Sequence, residues 1–232
     1  MKRCVLLAPA ILLLGCGHKV EQFVYPDQVA DFTALYQNNC AGCHGSDGRS
    51  GAARPLNDPV FLAVIGEDKL KDVIANGVPK TAMPAFAKNA GGGLTDQQIT
   101  ILADQIAERW SRPRDFAGVS LPSYSADPGD PRAGETVFRT YCVNCHGETG
   151  AGGSKAGSVI DPAFLALVSD QSLRTTAIAG RSDQGMPDWR NRFPGRPMTP
   201  KEISDVVAWL SAHRPAPAPL ITTLTQRGTK LP

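Results

Sequence analysis

The sequence predicts an all-α protein built from one unit used twice. A register of like residues recurs along the chain, helix-start signals fall at matching places in both copies, and no segment shows convincing strand character. Cys40, Cys43 and His44 recur at Cys142, Cys145 and His146, an offset of 102. One inserted residue later the offset is 103, pairing Pro59, Phe61 and Leu62 with Pro162, Phe164 and Leu165. The same register sets Leu70 on Leu173, Gly77 on Gly180, and Met83-Pro84 on Met186-Pro187. After one more insertion Ile99 falls on Ile203.

The elements follow in chain order. Residues 1–15 read as a signal peptide, with Lys2 and Arg3 ahead of an apolar run from Val5 to Leu14. That run is shorter than the roughly 20 residues a spanning helix needs. Leu13-Leu14-Gly15-Cys16 resembles the bacterial lipoprotein signal. The resemblance implies cleavage before Cys16 and its acylation, with several chains giving a stable anchor. Ordinary secretion with Cys16 unmodified is the alternative. Residues 16–26 then form a lipidated tether that includes His18.

The first domain spans residues 27–110 and the second residues 131–213. An opening helix over residues 27–38 offers Phe32, Leu35 and Tyr36; its counterpart over residues 131–141 offers Gly134, Phe138 and Tyr141. Asn57-Asp58-Pro59 and Asp161-Pro162 mark the starts of middle helices. Thr95-Asp96-Gln97-Gln98 and Thr199-Pro200-Lys201-Glu202 have capping-box form and open the last helix of each unit. Pro200 stands at the first helical position, where its missing N–H costs nothing. Ile99, Leu102 and Ile106 line one face of that helix, as do Ile203, Val206 or Val207, and Leu210. Residues 111–130, rich in Pro and Gly, form a linker. Residues 214–232 form a Pro-rich tail, extended and able to wrap a domain.

Composition narrows the function. Aromatic content is 6%, with 23 glycines and 19 prolines, thin material for two ordinary apolar cores. Removing the signal peptide takes Lys2 and Arg3 from the 24 basic residues, leaving 22 against 22 acidic. A balanced charge with no basic run gives no footprint for nucleic acid. The six cysteines are assigned without a disulfide: Cys4 in the signal peptide, Cys16 at its end and four in the repeated runs.

Those runs, Cys40-Ala41-Gly42-Cys43-His44 and Cys142-Val143-Asn144-Cys145-His146, have the spacing for covalent c-type haem attachment. Two sulfurs add to the vinyl groups of one haem, and the adjacent histidine is held under the iron. Zinc ribbons place their cysteine pairs about 15–20 residues apart, far closer than these. A thiol redox pair leaves His44 and His146 without a purpose and expects a βαβ pattern. Two haem c groups are the expected cofactors, and each would supply apolar bulk to a poor core.

A second axial ligand is expected downstream. Met83 lies 39 residues after His44, and Met186 lies 40 after His146; each precedes proline in the loop before the last helix. Methionine also fills core gaps, and Met198, aligned near Leu94, suits that role. His/Met ligation closes both axial positions, which favours electron relay over oxygen or peroxide chemistry. His213 suits a helix C-terminus. Arg190, Arg192 and Arg196 read as a solvated loop face, with haem propionates or a docking partner as alternatives.

On these residues each unit resembles a class I cytochrome c domain, and the whole resembles a tandem di-haem cytochrome c lipoprotein of a bacterial respiratory chain. The resemblance implies Cys40, Cys43, Cys142 and Cys145 as covalent haem attachments, and His44, Met83, His146 and Met186 as axial iron ligands. It implies no catalytic residue. It also implies that the first and last helices of each unit cross near the haem edge, Phe138 against Leu210 or Trp209 and Tyr36 against Ile106. Phe32 where the second unit has Gly134 departs from that close crossing. The function expected is single-electron relay, from a quinol-oxidising complex to a terminal oxidase or small cytochrome. The expected location is the bacterial envelope, lipid-anchored on the periplasmic side. The alternatives are a fixed haem subunit of a periplasmic dehydrogenase and a di-haem peroxidase, which needs an iron able to open.

Overall fold

A computed structural model of the chain describes residues 23–79, 81–190 and 195–216. The signal peptide, Cys16, His18, Arg192 and most of the tail lie outside the described residues. Ten α-helices occur among the described residues, in two sets of five. The first set is α1 (Phe32–Asn39), α2 (Ala41–His44), α3 (Pro59–Ile65), α4 (Glu67–Asn76) and α5 (Asp96–Trp110). The second repeats it as α6 (Pro131–Tyr141), α7 (Val143–His146), α8 (Pro162–Leu167), α9 (Asp170–Ala179) and α10 (Pro200–Ala212). Extended pairing among the described residues is limited to two isolated bridges, Ala87 with Leu94 and Arg181 with Met186.

Local chemistry sets the helix starts. Asp58 Oδ1 accepts from the N–H groups of Val60 and Phe61 at 2.9 and 3.1 Å, and Asp161 Oδ1 from Phe164 at 2.9 Å. Both capping boxes form: Thr95 with Gln98, and Thr199 with Glu202. Helix α6 begins at Pro131, as its sequence indicates. Helix α1 begins later than expected, at Phe32, because Asp31 caps it by accepting from Ala34 N at 2.8 Å. The residues ahead of it lie in a 3-10 turn, Pro26–Gln28, and the Gln98 side chain claims the carbonyls of Pro26 and Val29 at 2.8 and 3.0 Å. Those carbonyls go to a side chain and not to a helical ladder.

The two units differ where their first and last helices meet. A Cβ on Gly134 would fall 2.0 Å from the backbone oxygen of Asp205, so α6 and α10 cross in backbone contact. Phe138 stacks on Trp209 there with ring centroids 4.4 Å apart. In the first unit Phe32 keeps the helices apart and carries the Arg109 guanidinium 4.5 Å above its ring. Tyr36 meets Trp110 edge-on at 5.5 Å, with Ile106 in the same buried cluster. A groove of about 550 Å³ opens beside them, lined by Phe32, Tyr36, Asp47, Asn57, Arg109 and Trp110.

The units pack through α3 against α9. Val64 of α3 is buried in the second core and Ala179 of α9 in the first. The linker is more than a spacer. Its Phe116 is buried, and Tyr124 packs against both cores. Arg174 Nη2 donates to Ser123 O at 2.9 Å, and Gln171 Nε2 to Tyr124 O at 2.8 Å, strapping the linker to α9.

Candidate haem sites

Each Cys-x-x-Cys-His run forms a sharp corner between two helices. Cys40 closes α1, its N–H donating to Tyr36 O at 2.8 Å, and opens α2 by accepting from His44 N at 2.9 Å. Cys142 does the same between α6 and α7, with bonds of 2.8 Å to Phe138 O and 3.0 Å from His146 N. The corner holds the sulfurs and the imidazole of one run on a single helical turn. No disulfide joins these cysteines. Burial first, then the neighbouring Cys43, pushes the Cys40 thiol up to about 11.

The histidines are oriented through the same ring atom. His44 Nδ1 lies 2.7 Å from Arg54 O, and His146 Nδ1 lies 3.0 Å from Gly157 O. A carbonyl only accepts, so Nδ1 carries the proton in both rings and the Nε2 lone pair is left as a metal ligand. Burial lowers the His44 pKa, opposed by the Arg54 carbonyl, which favours the neutral, ligating form. Among the described residues no three His, Cys, Asp or Glu side chains converge. The corners therefore lack the closed set a structural zinc takes, and their donors fit covalent haem with one nitrogen ligand.

The loops after the histidines fold back against these corners. Gly45 and Gly147 turn the chain at φ +82° and +77°. A Cβ on Gly51 would fall 2.1 Å from Cys43 O, and one on Gly153 2.7 Å from Cys145 O. Asp47 fixes the first loop, accepting from Arg49 N and Ser50 N at 2.9 and 2.8 Å. These glycines and the two acceptor carbonyls were not singled out from the sequence. The signal for the glycines was present, since Gly45, Gly48 and Gly51 recur at offset 102 as Gly147, Gly150 and Gly153.

Met83 and Met186 are half-buried, each in the loop ahead of the last helix. Each loop passes over a glycine with positive φ that ends the preceding helix. A Cβ on Gly77 would fall 2.7 Å from Met83 O, and one on Gly180 2.4 Å from Met186 O. Met198 differs from both, being 3% exposed within the second core. Its N–H donates to Trp189 O at 3.0 Å, as Leu94 N does to Phe86 O at 2.8 Å, so Met198 is the counterpart of Leu94.

Of the arginines after Met186, Arg190 is half-buried and Arg196 is solvated, and each has a local acidic partner. Arg190 grips Asp188 through Nε and Nη2 at 3.2 and 2.9 Å, and its guanidinium lies 5.0 Å from the centre of the Phe116 ring. Arg196 pairs with Glu202 at 2.6 Å and covers Tyr141. Flanking Asp and Glu residues and buried rings claim these cations locally. His213 closes α10, its Nδ1 lying 2.8 Å from Trp209 O.

Two helical units, each presenting a Cys-x-x-Cys-His corner with an oriented histidine, define a di-haem class I cytochrome c. The chain belongs to the family of cytochrome c oxidase, cbb3-type, subunit III, which matches residues 27–104 and 129–210. It is 32% identical over 135 residues to the cbb3-type cytochrome c oxidase subunit CcoP of Azospirillum sp. (strain B510), covering 53% of this chain and 41% of that one. It is 31% identical over 169 residues to the subunit FixP of Bradyrhizobium diazoefficiens, covering 68% and 53%. Similarity to the cytochrome bc1 complex cytochrome c subunit of Corynebacterium diphtheriae is 25% over 238 residues, covering 91% and 80%. The chain spans about half the length of the cbb3-type relatives it matches. It is an electron-transfer protein carrying two haem c groups. Haem c supplies one-electron iron chemistry, tuned by its axial ligands.

Proposed function

We propose that the chain relays single electrons between two respiratory complexes, from a quinol-oxidising complex to a terminal oxidase or small cytochrome. The observation that carries this is the duplicated corner, in which a backbone carbonyl fixes each histidine ring through Nδ1. Cys40, Cys43, Cys142 and Cys145 would hold the two haems, and His44 and His146 would ligate iron through Nε2. Met83 and Met186 would supply the second ligand of each iron, since each stands over a helix-ending glycine at one repeat position while Met198 is occupied in the core. Held by these residues, each haem would supply one-electron iron chemistry. A fixed subunit of a respiratory complex is the second reading, favoured by relatives named as subunits of an oxidase and of a bc1 complex. Co-migration with a catalytic chain from detergent extracts selects that reading; purification alone selects the mobile one.

Cys16 is the proposed acylation site, placing the protein on the periplasmic face of a bacterial membrane. No helix among the described residues is long and apolar enough to cross one. Cys16→Ser is expected to release the protein or block its processing, and a lipid-free wild-type N-terminus rejects the anchor. The ligands are tested by redox titration and the methionine-to-ferric-iron charge-transfer band. Met83→His shifts one redox wave, Met186→His the other, and Met198→Leu neither, with both haems attached. Loss of half the band in Met198→Leu, with Met186→Leu unchanged, would reverse the assignment in the second unit.

A further inference from the structure

The loop that follows the first corner reaches the second unit. Arg54 is its pivot. The backbone oxygen of Arg54 takes the His44 Nδ1 proton at 2.7 Å. Its side chain points the other way across the interface: Nη2 donates to Thr176 Oγ1 at 2.6 Å, and Nη1 approaches Gly180 O at 3.5 Å. The guanidinium lies 5.5 Å from the centre of the Phe61 ring. Arg54 is half-buried, and burial lowers its pKa to about 10, against the countering charge of Asp58. Arg49, from the same loop, donates to Ser182 Oγ at 3.2 Å.

The acceptors lie at the C-terminal end of α9, ahead of the loop that carries Met186. Gly180 leaves no room for a side chain against Met186 O. Arg181 and Met186 exchange reciprocal backbone hydrogen bonds at 3.0 Å. One residue therefore touches the histidine of one unit with its backbone and, with its side chain, the end of α9 on which the methionine loop of the other unit rests. The second unit has no equivalent, because its acceptor carbonyl belongs to Gly157.

We propose that Arg54 is a positioning residue that locks His44 of the first unit and the Met186 loop of the second into one arrangement, so that each haem's ligand geometry responds to the other. The proposal rests on the ligand reading above. Only backbone and interface contacts carry the tie, so neither partner moves alone without breaking a charge-assisted hydrogen bond.

The test uses the di-haem protein with Thr176→Val, Arg54→Lys and the pair combined. Hydrogen exchange is read at residues 40–56 and 176–188, and the redox waves are assigned by the Met83→His and Met186→His variants. Thr176→Val substitutes no residue of the first unit. It is nevertheless expected to lower protection around His44 on the order of tenfold, the worth of such a bond, and to move the first-haem wave. Arg54→Lys is expected to loosen residues 176–188 and move the second-haem wave, and the double variant to match the larger single effect. Changes confined to the substituted unit, or additive in the double variant, overturn the tie. Protection lost across the interface with both waves unmoved overturns the coupling, and leaves the ligand assignment, read from the charge-transfer band of the wild-type protein, standing. Thr176→Val carries the test even where Arg54→Lys fails to fold.

Discussion

At the residue scale the site is made as much by what is missing as by what is present. Gly51 lies against Cys43 O so closely that a methyl group has no space, whereas Gly42, within the first corner, has nothing within 4 Å of its missing Cβ. Gly51→Ala is therefore expected to push the loop off the corner, stretch the His44–Arg54 bond and cost about 1–3 kcal/mol, the range for overpacking. Gly42→Ala is expected to leave stability within about 0.5 kcal/mol, as for sites away from such features. Denaturant unfolding of the two variants checks the contrast. The two Cys-x-x-Cys-His runs were legible because covalent haem attachment needs those residue types at that spacing. The acceptor carbonyls of Arg54 and Gly157 were not, because every residue has a carbonyl and only the folded loop selects one.

At the element scale the helix starts were readable and one helix crossing was decided by a single residue. Capping boxes act over three residues, so Thr95 and Thr199 announce α5 and α10 from sequence. The start of α1 is set partly by Gln98, remote in sequence, and no local pattern reports it. Gly134→Val should force α6 off the Asp205 backbone, lowering second-unit stability by about 1–3 kcal/mol or more; Phe32→Val, at an already open crossing, should cost less. Calorimetry of each variant separates the two. The cap of α10 also gives a pH dependence. Hydrogen bonds from Arg196, then from the Thr199 backbone and hydroxyl, hold Glu202 down at about 2 despite its burial. A carboxyl depressed in the folded state adds stability above its unfolded pKa, about 4.3, and loses it as pH falls through about 2. Arg196 is 54% exposed, so solvent screens the ion pair, and the cap, worth about 1 kcal/mol, is the larger share. Glu202→Gln should flatten the acid dependence of helix content across that window; an unchanged titration curve would remove the Glu202 charge from the account.

At the scale of the whole molecule, the connection between units was the least legible part. Its Pro and Gly content describes a spacer, yet packing makes it a strap. Arg174 is 5% exposed and shares its guanidinium among Ser123 O, Tyr124 O and Ser204 Oγ. Arg174→Ala leaves those carbonyls without their charged donor, a loss of about 1–3 kcal/mol. Limited proteolysis is expected to begin within residues 117–130 in that variant, and equal resistance to the wild type would show that the strap holds without it. Likewise nothing local announces that Arg190 covers Phe116, which the connector between the repeats contributes.

Tyr124 has one side chain and two homes. The copies are therefore no longer spare parts of one another. A descendant that dropped either unit would uncover apolar surface on the survivor, and one that lengthened the connector would unseat the same ring from two places. A doubling sealed by a shared residue is hard to undo. The two halves are inherited as a single object, free to diverge in their outer loops and bound to change together along the seam.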